Sequence, residues 1–459
     1  MGITKDAAVF TANTSFNDFD DSLVNHLKHV LLSGVGMTLA GTDTKSGKAV
    51  IDYVKSCKGP EQAGVWGAGF RTSAEYAALA NGTTSHSTEL EDDTFPPGTY
   101  SVGIFPPIFA LGEKLHVSGK QVIEGVVIAW DIAAKLGMVA LPMVLRGIGP
   151  WCTFPTIGVA AVSAKLLNLD VDTITMAISI AASHCSGLSK QAGTGAHLLE
   201  SGLCGRSGIA AAMMAKHGLT GNQEILELHP NGYLEAVSGV TNPEVTFGAP
   251  FIAANIGIKR YPCCFIQQHP IHSVLDLINR HNIAADDVET VQAFVNPMFT
   301  GALPFHHPKD EDEARFSLQH SFAVAFLDRK AWLDNYATER VIAPEVAAFR
   351  DRVKIAENTG QNTEGLDGMV SDARSNTLSG LEIPIIISLK DGTQYKTIAP
   401  GIDQHLELSE QDVLNKFMDC ALRAVTRSRA EQISDIVLSL ETVEDISQLM
   451  ELVTFPDKG

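Results

Sequence analysis

The sequence predicts a mainly α-helical protein with an inserted α+β domain. Apolar residues recur at helical spacing through about the first 255 positions, and β-branched segments with a hairpin signal appear only after Lys259. Helical periodicity then returns near Ser409. We therefore expect residues 1–262 and 405–459 to form one large helical domain and residues 263–404 to form a smaller α+β domain.

The N-terminal part contains a series of predicted helices. They cover residues 22–40, 48–56, 72–80, 119–138, 156–167, 172–182 and 207–217. The segment 119–138 is apolar around most of its circumference, which predicts burial on several sides. Asp172 and Ser207 are the predicted N-caps of the last two helices. Residues 147–155 interrupt the helical pattern with glycine and proline.

The middle of the chain mixes predicted strands with helices. The predicted strands are 288–295, 383–389 and 394–398, and the predicted helices are 272–281 and 316–327. Asp391-Gly392 predicts a tight hairpin turn between the last two strands. The polar run 358–379 predicts a loop or a partly disordered segment. Near the C-terminus, Ser409 and Asp412 have the spacing of a helix capping box.

Composition limits the class of protein. The chain has 459 residues, of which 45% are hydrophobic and 19% charged, so two or three domains with buried cores are expected. A net charge of −19 argues against nucleic acid or an anionic membrane as partner. Seven cysteines without a C-x-x-C spacing favour neither a zinc site nor a disulfide framework. With no recognisable signal peptide and no long apolar run, a cytoplasmic location is expected.

An acidic stretch lies near the start of the chain. Glu89, Glu91, Asp92 and Asp93 place four carboxylates within five residues, followed by the prolines and the glycine of FPPG. Those breakers and Pro106 predict that no helix continues here, so the acids should occupy an irregular, partly apolar loop. Crowded carboxylates hold protons more tightly, which acid–base chemistry requires. The alternatives are a solvated acidic turn and caps for the next helix.

The segment NGTTSHSTELEDDT resembles the asparagine–glycine, histidine and multiple-acid signature of the MmgE/PrpD family, which includes 2-methylcitrate dehydratase, cis-aconitate decarboxylase and iminodisuccinate epimerase. Further segments are similar and stand in the same order: FPPIFALGEKLHVSGKQVI, IGVAAVSAKLLNLD, SGLCGRSGIAAAMMAKHGLTG, GIKRYPCC, RFSLQHSFAVAFLD and DISQLMELV. The resemblance implies a helical domain with an inserted lid domain, an active site in the cleft between them, and a homodimer. It implies neither a metal nor an organic cofactor.

The resemblance assigns the family acids to Glu89, Glu91 and Asp92, with Asp93 in place of a usual threonine. Lys259 in IKRYP matches the family lysine at the start of the lid. The predicted catalytic residues are Glu89, Asp92, Asp93, His197 and Lys259. Glu91 is not among them.

Four positions depart from the family pattern. Thr99 and Gly149 stand where the family has histidines, His197 replaces a lysine, and His320 occupies a position that is often tyrosine. Because two proton donors or cations are lost, we expect the chain not to act on citrate-like triacids. Since histidine can change charge near neutrality, His197 is predicted to supply a cation or a base and to lie within reach of Lys259 or the acidic loop.

The predicted substrate-binding residues are Thr99, Gly149, Trp151, Arg206 and His320. For several candidates the sequence leaves a structural role open. His197 and His320 are also compatible with a satisfied histidine in the core, and Arg206 with a residue that supports a helix terminus. Cys263 and Cys264 are expected to be packing residues.

Three functions are compatible with these residues. The first is a lyase or isomerase that abstracts a proton next to a carboxylate or carbonyl, followed by dehydration, decarboxylation or epimerisation. The second is a family member repurposed for a less charged secondary-metabolite intermediate, which it would cyclise or rearrange by shape and hydrogen bonding. That function is favoured if Phe95, Phe105, Trp151 and Phe154 line the cleft. The third is a non-catalytic relative.

Overall fold

The computed structural model describes residues 2–94, 98–185, 187–296, 300–357, 381–402 and 405–455. The helices are α1 (Ile3–Asn13), α2 (Asp21–Gly41), α3 (Lys45–Ser56), α4 (Ala74–His86), α5 (Ser101–Leu115), α6 (Gly119–Val139), α7 (Pro150–Leu166), α8 (Val171–Ala182), α9 (Gly195–Lys216), α10 (Tyr233–Ser238), α11 (Gln268–His281), α12 (Glu311–Ala314), α13 (Leu318–Asp328), α14 (Thr338–Val341), α15 (Pro344–Arg350), α16 (Glu410–Ala421), α17 (Arg427–Leu438) and α18 (Ser447–Thr454). The strands are β1 (Ala63–Val65), β2 (Phe70–Thr72), β3 (Asp93–Thr94), β4 (Gly98–Thr99), β5 (Val288–Val295), β6 (Val353–Glu357), β7 (Ile383–Leu389) and β8 (Gln394–Ala399).

The chain divides into two compact units. The first comprises Met1–Lys190, Gly195–Ile258 and Glu407–Gly459, and the second comprises Gln191–Thr194 and Lys259–Leu406. The mainly α architecture with a smaller α+β part confirms the predicted fold class. Residues 191–194, which the sequence placed in the helical domain, group with the second unit. Packing explains this, because a Cβ at Gly193 would lie 2.2 Å from the ring of Phe305.

The first unit is built around a continuous apolar core. Helices α4, α5, α7 and α9 pack against one another, and α6 lies against α7. As predicted, α6 is buried on several sides, with Trp130 fully enclosed. The C-terminal helix α16 packs on α2, where the backbone and ring of Phe417 would lie 3.1 Å from a Cβ at Gly36. Among the described helices, none combines the length and apolar character that crossing a bilayer requires.

The second unit contains a four-stranded sheet in the order β6-β5-β7-β8. Strands β5 and β6 are parallel, and the other pairs are antiparallel. The predicted hairpin between β7 and β8 is confirmed. Gly392 has φ +91°, and the amide of Thr393 donates to Asp391 Oδ1 over 2.8 Å.

Four sequence predictions were wrong in detail. Pro106 does not stop a helix but lies inside α5, and Ser207 lies inside α9 rather than at its start. The N-cap of α8 is Asp170, not Asp172, and α7 already begins at Pro150 within the segment predicted to be irregular. Burial explains Pro106, since tertiary packing offsets the roughly 3 kcal/mol that an interior proline costs. Pro150 needs no such compensation, because it occupies the first position of α7, where proline is favoured. The predicted loop 358–379 lies outside the described residues.

Helices α4 and α9 approach each other closely at two glycines. A Cβ at Gly202 would lie 2.2 Å from the carbonyl oxygen of Leu79, and one at Gly82 would lie 2.8 Å from the Cα of Gly202. No other residue type fits such a contact without moving a backbone. The crossing therefore sets the distance between the end of α4 and the first turn of α9.

We predict that Gly202→Ala destabilises the first unit by about 1–3 kcal/mol, because the added methyl group must separate the two helices. Urea unfolding followed by far-UV circular dichroism measures the change. Gly301→Ala is the control, since no described residue has an atom within 4 Å of a Cβ at that position. Equal unfolding midpoints for the two variants would contradict the prediction.

Candidate active site

The end of α4 positions a histidine against a glutamate. The helix stops at His86, and Glu89 follows with a left-handed φ of +53° while its amide donates to the carbonyl of His86. Such a backbone costs on the order of 1–3 kcal/mol in a residue with a side chain. It turns the carboxylate back towards the helix, so that Glu89 Oε1 lies 3.3 Å from His86 Nε2.

The first turn of α9 adds a second histidine to the same carboxylate. His197 Nε2 lies 3.6 Å from Glu89 Oε1, and the two imidazole rings have centroids 4.6 Å apart. His86 Nδ1 lies 2.8 Å from the hydroxyl of Ser201, one turn along α9. The prediction that His197 lies within reach of the acidic loop is confirmed, and its role in the reaction stays a prediction.

Glu200 completes what we call the histidine–glutamate cluster: His86, Glu89, His197 and Glu200. Its Oε2 lies 3.4 Å from His197 Nδ1, which is long for a hydrogen bond but close enough for attraction between charges. The amide of Leu188 donates to Oε1 and the thiol of Cys152 donates to Oε2. Burial would raise the pKa of Glu200, but His197 and the Leu188 amide outweigh it and hold the pKa below its ordinary value.

The four acids of the loop are buried, which makes the prediction of a solvated turn wrong. Glu89 and Glu91 are each 2% exposed, Asp92 is 0% and Asp93 is 4%. They do not cap the next helix either, because no side chain caps α5. Asp93 instead exchanges backbone hydrogen bonds with Gly257.

Asp92 has the environment of a carboxylic acid that keeps its proton. Burial raises its pKa to about 7, although the ammonium of Lys416 and the hydroxyl of Ser33 act in the opposite direction. Ser33 donates to Oδ1 over 2.9 Å, and Lys416 Nζ lies 3.8 Å from the same oxygen. Oδ2 makes no hydrogen bond to any described residue. A group that titrates near neutrality suits general acid catalysis.

Trp151 occupies the space beside Gly149. A Cβ at Gly149 would lie 2.4 Å from the indole ring, so no larger residue fits there while Trp151 keeps this position. The indole ring lies 6.3 Å from the ring of His197, edge to face. Its Nε1 is buried and has no hydrogen-bond partner in the part of the chain that the structure describes. Thr99, in β4, is half-buried and opposite Asp93 in β3.

Two predicted site residues belong to the second unit. Lys259 is 3% exposed. His320 is fully buried, its Nε2 donates to the carbonyl of Asn335, and burial lowers its pKa to about 4. His320 is therefore neutral at physiological pH and cannot replace a lost cation.

The other candidates are dispersed in the first unit. Arg206 lies in the middle of α9 and is half-buried, so it does not support an end of its own helix. Phe105 and Phe154 pack in the core against Trp130 and Tyr233, so they are core residues. Phe95 lies outside the described residues.

Sequence reasoning missed several members of the site. Glu200 and Ser201 were not selected, nor was Lys416, and His86 was noticed only within the acidic signature. One signal was available: the spacing H-x-x-E occurs at His86 and again at His197. Residues three apart on a helix share a face, so this spacing could have predicted the contact of His197 with Glu200. It could not have predicted the contact of His86 with Glu89, because that pair depends on the left-handed backbone of Glu89 after α4 ends.

We predict that Asp92→Asn removes a pH-dependent loss of stability. Between its ordinary pKa of 3.8 and the folded value of about 7, the carboxyl keeps its proton only in the folded state, so the parent loses stability as pH rises through this window. The stability of the variant relative to the parent should increase from about pH 4 to about pH 7, by on the order of 4 kcal/mol in total. Urea unfolding at several pH values measures the difference. Asp419→Asn, an exposed site on α16, should track the parent.

Comparisons with known proteins agree with this architecture. A profile of the MmgE/PrpD N-terminal domain matches residues 5–246, and one of the MmgE/PrpD C-terminal domain matches residues 261–442. The chain is 25% identical to a cis-aconitate decarboxylase of Mus musculus, covering 99% of this chain and 94% of that protein. It is 23% identical to a cis-aconitate decarboxylase of Aspergillus terreus, covering 100% and 97%, and 23% identical to a cis-aconitate decarboxylase-like protein of Aspergillus oryzae, covering 95% and 94%. This chain belongs to the MmgE/PrpD family.

Proposed function

We propose that this protein is a lyase or isomerase that abstracts a proton next to a carboxylate or carbonyl. The observation that supports this most is the buried histidine–glutamate cluster close in sequence to Asp92, whose pKa is raised to about 7. Such a site holds a base and a protonated acid at the same neutral pH. The names of the relatives support lyase chemistry in particular.

In the proposed step, the pair formed by Glu89 and His197 accepts the proton from carbon. The electron pair left behind is delocalised into the neighbouring carbonyl or carboxylate. Asp92 then delivers a proton, either to a departing hydroxyl group in a dehydration or back to carbon in an epimerisation. A decarboxylation needs no proton abstraction from carbon: the C–C bond breaks, its electron pair stays on the substrate carbon as the carboxylate leaves as CO₂, and Asp92 donates the proton that forms the new C–H bond. The step needs no organic cofactor.

The proposed substrate carries less negative charge than a tricarboxylate. Thr99 and Gly149 supply no cation, and His320 is neutral because its pKa is about 4. Asp93 adds a further buried acid. A triacid with about three negative charges would therefore meet more carboxylates and fewer cations than in the ordinary family pattern, which is unfavourable in a buried site.

A second function is favoured by Trp151. Its indole lies edge to face with His197, and its Nε1 has no partner among the described residues, so it offers both an apolar surface and a hydrogen-bond donor. A partly apolar intermediate that is cyclised or rearranged would use both features. Phe105 and Phe154 do not add to this surface, because both are core residues.

We predict that the purified protein turns over cis-aconitate and 2-methylcitrate slowly. Loss of a general acid–base group costs roughly 10² to 10⁴ in rate. A direct assay of product formation from each acid is the measurement, with an active family member as positive control. Turnover in the ordinary enzyme range of about 1 to 10³ per second would contradict the proposal on substrate charge.

We predict that His197 takes part in binding a dicarboxylate. Its imidazole lies against Glu89 and Glu200 and is proposed to donate a hydrogen bond to a substrate carboxylate. A hydrogen bond to a charged group contributes about 1.5–3 kcal/mol, so His197→Ala should bind mesaconate roughly 10- to 100-fold more weakly than the parent, whereas His197→Lys should keep most of the affinity because it retains a donor. Isothermal titration calorimetry measures the three affinities. An alanine variant with the affinity of the parent would show that His197 is a packing residue.

A further inference from the structure

The histidine–glutamate cluster has the geometry of a metal site. Within the described residues, His86, Glu89 and His197 each offer one ligand atom, and the three atoms lie within 4.8 Å of one another. Glu89 Oε1 is 3.3 Å from His86 Nε2 and 3.6 Å from His197 Nε2. Ligand atoms about 2.0–2.1 Å from a tetrahedral Zn²⁺ stand roughly 3.4 Å apart, so these two separations match that arrangement closely.

We propose that His86, Glu89 and His197 bind one divalent transition-metal ion of the zinc class. Two imidazoles and one carboxylate form a donor set that suits Zn²⁺, Co²⁺ or Fe²⁺ better than Mg²⁺ or Ca²⁺, which prefer oxygen ligands. Three protein ligands leave a coordination position open, as in catalytic rather than structural zinc sites. A water molecule or a substrate carboxylate would take that position. With the ion bound, Glu89 and Nε2 of His197 are occupied as ligands, so the proposed base is the metal-free cluster and the two proposals describe different states of the same residues.

The partners of the other ring nitrogen, Nδ1, in the two histidines support this assignment independently. Metal-binding histidines ordinarily present one ring nitrogen to the ion while the other contacts a carboxylate, a carbonyl or another polar group. Here Ser201 Oγ lies 2.8 Å from His86 Nδ1, and Glu200 Oε2 lies 3.4 Å from His197 Nδ1. Both Nδ1 atoms thus face polar partners, and both Nε2 atoms face Glu89. When Nδ1 of His197 carries the proton and faces Glu200, the unprotonated Nε2 faces the carboxylate of Glu89. The Nε2 lone pair and the carboxylate then repel each other, and a cation bound between them removes this repulsion.

The surroundings of the cluster also favour a cation. His86, Glu89 and His197 are 2%, 2% and 6% exposed, so a charge placed between them is poorly screened by water. Glu91 Oε1 lies 3.8 Å from His86 Nε2, and Glu200 adds a second negative side chain nearby. Cysteine spacing does not predict this site, because its donors come from two H-x-x-E segments about 110 residues apart in the chain.

The test is a metal titration of the full-length protein without substrate, after dialysis against EDTA and then metal-free buffer. Calorimetry with Zn²⁺ should show one site per chain, and Co²⁺ should give the intense visible absorption of a four-coordinate ion. His86→Ala and His197→Ala should abolish both signals. Glu200→Gln, which changes only the outer contact, should weaken affinity by about 10- to 100-fold.

Two exposed histidines of the same unit provide matched controls. His217→Ala and His184→Ala should bind as the parent does. His197→Gln keeps a similar side-chain volume, and circular dichroism of every variant checks the fold. The proposal is overturned if the parent binds no ion, or if binding survives the loss of either cluster histidine. Because substrate is absent from this experiment, a negative result leaves the proposed function standing.

Discussion

The candidate site depends on the close contact between α4 and α9. Gly82 and Gly202 let the two backbones meet without a side chain between them. His86 ends α4 and His197 begins α9, so the separation of the helices sets the 4.6 Å between the two rings. A wider crossing would pull both histidines away from Glu89. The chemistry at the cluster is therefore determined by packing several residues away from it.

Burying this many carboxylates is costly, and the first unit offsets the cost in different ways. Glu200 stays ionised because His197 and the Leu188 amide face it. Asp92 has one donor in Ser33 and a more distant ammonium in Lys416, and burial outweighs both, so its pKa rises to about 7. Two buried carboxyl groups of the same unit thus have pKa values shifted in opposite directions. Environments that separate the pKa values of titratable groups in this way are typical of sites that need both an acid and a base.

The sequence was informative where local signals agree with packing and misleading where packing overrides them. Helical periodicity located α2 and α6, and Asp391-Gly392 located the hairpin, because those patterns act over a few residues. The prediction for Pro106 was wrong because the free-energy cost of a proline inside a helix can be read from the local sequence. The burial that offsets this cost comes from helices distant in sequence. The acidic loop was found from its composition. The pairing of the two H-x-x-E segments could not be predicted from the sequence, because it depends on the tertiary contact between α4 and α9.

The departures from the family pattern are linked physically rather than independent. A residue with a side chain at position 149 would collide with the indole of Trp151, so glycine there and tryptophan two residues later form one packing solution. The ring that fills this space also borders His197, the residue that stands in place of a family lysine. A histidine introduced at position 149 alone would have to displace the indole before it could reach any substrate. The glycine predicted to replace a family histidine and the apolar surface beside the cluster thus have one structural cause, the position of Trp151, and this agrees with the proposal that recognition in this region depends less on charge and more on shape.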